Sequence, residues 1–240
     1  MSFGLECKKV KRTGLSISFL GGGLLAAAVP ILNMAFRAEK YLGLSAPPVE
    51  ILMNANWQMM AMLNVLIAAA GACLMYYTEY ADNAVQRMCM LPIKESRLFF
   101  DKAALITVMC VMMLAVEGAG TAFCAAHWFE PSKEIWMELL KSFGYALLLM
   151  LPAALCALLT ASACKNIWAA LGVDVVCVFT ASMLPAKNFV LSLFPFAMPF
   201  RTLGGTEEST AFRFLIAALI EIVIIGIVEV LFLKVRRSLE

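Results

Sequence analysis

Four carboxylic acids lie inside stretches of this sequence that are otherwise apolar, and they are the side chains best placed to bind a cation. In a lipid bilayer such an acid costs about 2.5–3.5 kcal/mol on insertion scales, so it faces protein or water. Each acid therefore either hydrogen-bonds a neighbouring helix or lines a polar route for a cationic molecule, and the sequence leaves both readings open. The fourth acid lies near the end of its stretch, and we expect its carboxylate only to reach out to the membrane interface. The acids are Glu117, Asp174, Glu221 and Glu229.

Motifs for catalysis are absent from the sequence. There is no phosphate-binding G-x-x-x-x-G-K-[ST] loop, and the glycine run 21–23 lies in an apolar stretch, where it favours close helix packing. The single histidine, His127, lies beside Trp128, and the sequence has no G-x-S-x-G nucleophile motif with which it could act as a base. The eight cysteines form no C-x-x-C pair, so they are interpreted as small packing residues and not as metal ligands. We therefore expect no catalytic or metal site, no cofactor on this chain, and an energy source on another chain.

Composition places these residues in a membrane protein. Hydrophobic residues make up 62% of the 240 residues and charged residues only 15%, whereas soluble domains are about one quarter charged. A helix needs about 20 mostly apolar residues to cross the hydrocarbon core. The sequence thus predicts a single all-α, polytopic membrane domain, residues 1–240, with six transmembrane helices. The predicted spans are 14–36, 55–77, 103–126, 143–163, 167–186 and 213–233.

The basic residues predict the orientation of these spans. With six spans both termini lie on one side of the membrane, and that side, which includes the segment between spans two and three, carries twelve of the 19 Lys and Arg residues. The other side carries the remaining seven. The positive-inside rule therefore predicts that both termini and the segment 78–102 are cytoplasmic.

The segment 78–104 interrupts the apolar pattern with eight charged residues. Read as a helix, 80–91 places Ala, Val, Met and Leu on one face and Asp82, Asn83, Gln86 and Arg87 on the other. Pro92 ends that helix and can open the next one. The pattern fits an amphipathic helix that only lies on the membrane surface. It fits equally a docking helix that presents Tyr80 with those four polar residues to a soluble partner and passes the partner's motion through Pro92 to span three.

Two stretches of the sequence resemble the type-two ATP-binding-cassette (ABC) exporter permeases, a class with six spans. Members commonly have a Glu at the end of span two, a short polar helix, a Leu-Pro break, a basic patch and a Lys at the start of span three. The amino-terminal ECKKVKRTG also resembles the E-x-x-K-x-K-R-[ST] start of many such permeases. The matching positions are Glu79, Asp82 to Met90, Leu91–Pro92, Lys94 with Arg97, and Lys102, together with Glu6, Lys9, Lys11, Arg12 and Thr13.

The resemblance implies a transporter subunit that is not itself an enzyme. In the family this loop carries the coupling helix, which docks on a nucleotide-binding subunit. The implied partners are two cytoplasmic ATPase copies that hold ATP and Mg, a second permease that is identical or paralogous, and membrane lipid, with no nucleic acid. The chain length is similar to that of the lantibiotic-immunity permeases of the bacterial plasma membrane, so a hydrophobic or cationic peptide antibiotic is the expected cargo. The alternatives are another amphiphile or lipid-like drug as cargo, or a non-transporting sensor or scaffold.

The stretch between spans five and six, LPAKNFVLSLFPFAMPFRTLGG, is too apolar for a solvated loop and is broken too often by proline for one span. It predicts short re-entrant or surface helices. The resembling family has such a hairpin at the outer mouth of the transport pathway. An aromatic belt at the membrane interface is compatible with the same residues.

Overall fold

The computed structural model describes residues 4, 8–9, 13–81, 95–129, 134–164, 166–184, 189–204 and 206–239. Within these residues the regular structure is entirely helical, which confirms the predicted all-α fold. Helices prevail because lipid cannot hydrogen-bond the backbone, and a helix satisfies its own N–H and C=O groups. The helices are α1 Leu15–Leu42, α2 Pro48–Ala81, α3 Glu95–Trp128, α4 Ile135–Ala163, α5 Ile167–Met183, α6 Phe189–Ser192 and α7 Glu208–Leu239, with a 3₁₀ turn at Met198–Phe200.

Five of the described helices, namely α1, α2, α3, α4 and α7, are long and apolar enough to cross a membrane. The fifth predicted span forms the shorter apolar helix α5, whose 17 residues extend about 25 Å at 1.5 Å per residue. It ends at Met183 and not at 186 as predicted. Leu184 is extended, with φ −65° and ψ 134°, because a residue that precedes proline is disfavoured in the helical region.

Helix α2 lies at the centre of the bundle. It packs against α1, α3, α4 and α5, whereas α7 packs mainly on α4 and is the least buried of the long helices. Bulky side chains from four helices fill the core between them, including Phe19, Trp57, Met113 and Met150. Any displacement of α2 therefore bears directly on four neighbouring helices.

Glycines permit a close crossing between α1 and α3. A Cβ atom added at Gly23 would lie 2.9 Å from the carbonyl oxygen of Met113, and one added at Gly120 would lie 2.7 Å from the Cβ of Ala27. Gly21 has open space around it. The close packing predicted for the glycine run is thus confirmed for Gly23 and for Gly22, where an added Cβ would clash with the Ile67 side chain of α2, and Gly21 takes no part in it.

Residues 189–204, which we name the outer segment after their predicted side of the membrane, fold as short helices against the bundle, as predicted. Met198 and Pro199 of this segment are buried. The indole N–H of Trp57 on α2 donates to the carbonyl oxygen of Pro199 at 2.8 Å, and Thr202 donates to the Asn54 side chain at 2.9 Å. These contacts attach the outer segment to the amino-terminal part of α2.

We expect Gly23→Ala to destabilise the protein and Gly21→Ala to leave its stability unchanged or slightly raised. Both changes favour the helical state, but only the first forces a methyl group onto a backbone oxygen that cannot rotate away. Such overpacking costs about 1–3 kcal/mol. The measurement is the thermal stability of the two purified variants in detergent. Equal stabilities would contradict the close approach of α1 and α3.

Candidate functional site

The predicted docking residues lie at a boundary of the described structure. Tyr80 belongs to the last turn of α2, and the loop 82–94 lies outside the described residues. The amphipathic helix at 80–91 therefore stays a prediction. The structure does describe the two helix ends that flank the loop, the carboxyl end of α2 and the amino-terminal part of α3. The predicted docking residues within the loop are Asp82, Asn83, Gln86, Arg87 and Pro92.

A buried ion pair joins these two helix ends. The side chains of Glu79 on α2 and Lys102 on α3 are 3% and 2% exposed, and the Lys102 Nζ atom lies 2.9 Å from Glu79 Oε1. The contact is an electrostatic pair and not an aligned hydrogen bond, since Oε1 has no partner at hydrogen-bonding angles among the described residues. The same Nζ donates to the Met75 carbonyl oxygen at 3.0 Å and lies 5.2 Å from the centre of the Tyr76 ring. These three contacts fall on the last two turns of α2.

Lys9 brings the amino-terminal segment to the same carboxylate. Its Nζ atom lies 3.5 Å from Glu79 Oε1, and its side chain is 33% exposed. In the sequence, Lys9 belongs to one of the two resembling stretches and Glu79 and Lys102 to opposite ends of the other, and no pairing among the three was predicted. The fold brings the three together at one end of the bundle, because α2 ends and α3 begins there.

Glu117, one of the predicted pathway acids, lies at the interface of α3 and α2. It is fully buried, and the amide of Asn64 on α2 donates to its Oε2 atom at 3.0 Å. Its other oxygen, Oε1, has no hydrogen-bond partner among the described residues. Sequence reasoning missed Asn64, although a buried amide in an apolar run is itself a signal for a helix–helix hydrogen bond.

Asp174 lies where α5 meets α4 and α2. It is fully buried. The Thr160 hydroxyl on α4 donates to Oδ1 at 2.7 Å, and the Cys73 thiol on α2, a weak donor, lies 3.9 Å from Oδ2. In this arrangement the carboxyl links three helices by polar contacts.

The two acids of α7 have different surroundings. Glu221 lies in the middle of the helix and is partly exposed, and its Oε2 atom is buried without a hydrogen-bond partner among the described residues. Glu229 is fully buried and accepts a hydrogen bond from the Ser162 hydroxyl on α4 at 3.0 Å. The expectation that Glu229 reaches out to the interface is wrong, because α7 turns this residue toward α4 and not toward lipid.

The acids do not converge on one centre. Glu117, Asp174 and Glu229 occupy three different helix interfaces. Within the described residues no group of three or more His, Cys, Asp or Glu side chains is arranged to hold a metal ion. In chemical terms this arrangement can pair charges and hydrogen-bond a guest.

A groove of about 500 Å³ opens between α3 and α4 on the surface of the bundle. Its walls are apolar, with bulky Trp136 and Phe143 beside small Gly118 and Gly144. The sequence analysis did not identify it, although small residues opposite aromatic ones on consecutive spans are a signal for such a recess. A groove of this kind suits a hydrocarbon chain or an apolar side chain.

Arg201 marks the end of the outer segment that faces α7. Its guanidinium lies 5.6 Å from the centre of the Phe214 ring, a cation–π contact. Burial lowers the pKa of Arg201 from its usual value, and the neighbouring Tyr145 opposes this effect. The contact attaches the outer segment to α7 as well as to α2.

Comparison with known proteins gives one family. The family described as ABC-2 family transporter protein matches residues 3–181, about three quarters of the chain. The match includes α1 to α4, the loop 82–94 and most of α5. No curated protein and no solved structure gives a significant match.

We expect the Asn64 and Glu117 side chains to stabilise the fold as a pair. Asn64→Leu or Glu117→Leu alone leaves a buried polar group without its partner, whereas the double variant removes both groups. The double variant should therefore lose less stability than the two single losses added together, with a coupling energy of about 1 kcal/mol. The measurement is a double-mutant cycle of unfolding in detergent.

The matched control for this cycle is Gln58→Leu, an exposed position on the same helix. It should show no coupling with Glu117→Leu. Additivity of the Asn64 and Glu117 changes within about 0.3–0.5 kcal/mol would contradict a stabilising hydrogen bond between them.

Proposed function

Because the chain belongs to the ABC-2 family of transporter proteins, we propose that it is the permease of an exporter that expels a hydrophobic or cationic peptide antibiotic of the lantibiotic type. Family membership makes the chain a multi-pass membrane subunit of an ABC transporter, not itself catalytic, that works with an ATPase subunit. The cargo, the direction of transport and the docking surface are the content of the proposal.

Docking through the loop 82–94 is supported by the structure at the base of that loop. The buried Glu79–Lys102 pair holds the two flanking helix ends together at 2.9 Å. A loop with joined ends transmits a push to the helices and does not absorb it. This is the single observation that supports coupling through 80–91 most strongly.

The proposed assembly contains two copies of the ATPase, which hold ATP and Mg, and a second permease that is identical or paralogous. Both termini and the loop face the bacterial cytoplasm, on the side with twelve of the 19 basic residues. ATP binding closes the ATPases against the helix 80–91. The push shifts α2 and α3, and the bundle expels its cargo toward the outer side.

A cationic cargo is supported by the buried acids. No Lys or Arg among the described residues forms an ion pair with Glu117, Asp174 or Glu221. Glu221 is partly exposed at the middle of α7, and its buried Oε2 atom has no hydrogen-bond partner among the described residues. In the proposal Glu221 meets the positive charge of the cargo first, and the deeper acids act when the helices separate.

A second candidate cargo is a lipid-like amphiphile. The observation in its favour is the apolar groove between α3 and α4, which is wide enough at about 500 Å³ for a hydrocarbon chain and opens to the outside of the bundle. A lipid-like cargo would depend on that groove and not on the acids.

The test of docking is a charge reversal on the loop. Arg87→Glu together with Asp82→Lys keeps the net charge and changes helix propensity by only a few tenths of a kcal/mol, so folding should survive. The reversed pattern places like charges against the partner, which lowers affinity on the order of a hundredfold. The measurements are co-purification with the ATPase and permease-dependent ATP turnover.

The matched control is Lys133→Glu with Glu134→Lys, the same kind of swap in the predicted outer loop between α3 and α4. It should leave assembly and turnover unchanged. If the loop swap also leaves both unchanged, the helix 80–91 is only a membrane-surface anchor and the docking assignment is rejected.

We further expect Asp174→Asn and Glu221→Gln to reduce protection of cells against a cationic peptide without reducing the amount of folded permease. Each change removes the negative charge, keeps the shape of the side chain and keeps one acceptor oxygen. Protection is measured as the peptide concentration that stops growth. Glu229→Gln serves as the control, since the amide still accepts from Ser162. A loss of folded protein in the Asp174 or Glu221 variant would assign that acid to packing alone.

A further inference from the structure

We propose that Glu79 and Lys102 are a positioning pair that makes the inner ends of α2 and α3 one rigid unit, so that a push on the loop 82–94 reaches both spans together. This inference rests on the proposed docking function of the loop and adds a role for two residues outside the docking face. Neither side chain is exposed to a partner, since both are at most 3% exposed.

Lys102 contacts several groups at one end of α2. The Lys102 ammonium contacts the carboxylate of Glu79, the backbone carbonyl of Met75 and the face of Tyr76. The Tyr76 and Glu79 side chains are spaced i and i+3 along α2 and so lie on one face of that helix end, and the Met75 contact is to the backbone of the same turn. The position also suits a cation electrostatically, because the carboxyl end of a helix carries partial negative charge.

A buried ion pair restricts helix sliding in a way that an apolar contact does not. A buried ion pair is a weak source of stability, because desolvation offsets the attraction of its charges. Packed apolar helices slide past one another by 1–2 Å in shear motions. Here a slide of α3 along α2 would leave the buried Lys102 ammonium and the buried Glu79 carboxylate without each other as partners. The pair therefore fixes the register of the two helix ends.

The amino-terminal segment also contacts the Glu79 carboxylate. Lys9 approaches Glu79 Oε1 at 3.5 Å from a segment that precedes α1. Glu79 thus joins three parts of the chain at the inner end of the bundle. Because Lys9 is partly exposed and its contact is longer, we expect its loss to weaken coupling less than the loss of Lys102.

The experiment measures cargo exported per ATP hydrolysed by the complete transporter. Lys102→Met keeps an unbranched buried side chain and removes the charge. We expect the ATPase to stay bound while export per ATP falls about tenfold, the scale on which coupling networks respond to mutation. Lys102→Arg keeps the charge and should recover most of the coupling. Lys141→Met, at an exposed position on α4, is the matched control and should have no effect.

A cross-link separates rigidity from stability. Glu79→Cys with Lys102→Cys, in a background without the native cysteines, removes the pair and should uncouple export from ATP turnover. A short bis-methanethiosulfonate, which forms one disulfide with each thiol and releases a sulfinate at each, should restore coupling when it bridges the two positions, and a reductant that cleaves these disulfides should abolish it again. A bridge that forms and leaves export uncoupled, or blocks it, would overturn the rigid-unit proposal. The same bridged variant decides the matter if Lys102→Met fails to fold.

The loop swap of Arg87 and Asp82 distinguishes the two levels of the proposal. If that swap leaves ATPase binding unchanged, the docking function itself fails. If the swap abolishes binding while Lys102→Met leaves export per ATP unchanged, docking stands and only the positioning role of Glu79 and Lys102 is rejected.

Discussion

A polar group that lies in lipid must find its partner within the protein, and most of this structure follows from that requirement. It makes the backbone helical, because only a helix satisfies its own peptide groups in hydrocarbon. It also decides where charged side chains lie. Glu117 and Asp174 meet a donor on a neighbouring helix, and Lys102 meets a carboxylate and a backbone oxygen. The polar residues of the spans thus act as specific contacts in a bundle whose other contacts are apolar.

Helix α2 gathers most of these contacts. At one end Trp57 holds the outer segment through Pro199, and at the other Glu79 holds α3 through Lys102. The 22 residue steps from Trp57 to Glu79 extend about 33 Å along a helix, close to the thickness of the hydrocarbon core. A displacement applied to the inner end of α2 therefore acts on an element that is attached to the outer segment. In the proposed cycle this single helix connects ATP-driven motion at one end with the outer segment at the other.

The sequence predicted the parts of the fold that depend on hydrophobicity and local chemistry. Long apolar runs predicted the helices, and repeated prolines predicted the short helices of the outer segment, because these signals are local. Helix ends were predicted less well, since α2 begins at Pro48 and not at 55, in residues that hydropathy alone does not mark. The hydrogen-bond partners of the acids could not be predicted from the sequence, for a different reason. Glu229 meets Ser162, and Glu117 meets Asn64, only because of how helices far apart in the sequence are rotated against one another.

The buried charges of the described residues fall into two kinds, and the difference bears on how such a bundle performs work. The Glu79–Lys102 pair is internally compensated, so it has little attraction for a guest and favours one fixed arrangement of two helix ends. Glu117, Asp174 and Glu221 have no basic partner among the described residues, so any cation that reaches them gains an interaction the resting protein does not supply. A transporter needs both properties, rigidity where force is applied and unmet polarity where cargo is held. In the proposed mechanism these properties are separated along the spans, with rigidity at the inner helix ends and unmet polarity deeper in the bundle.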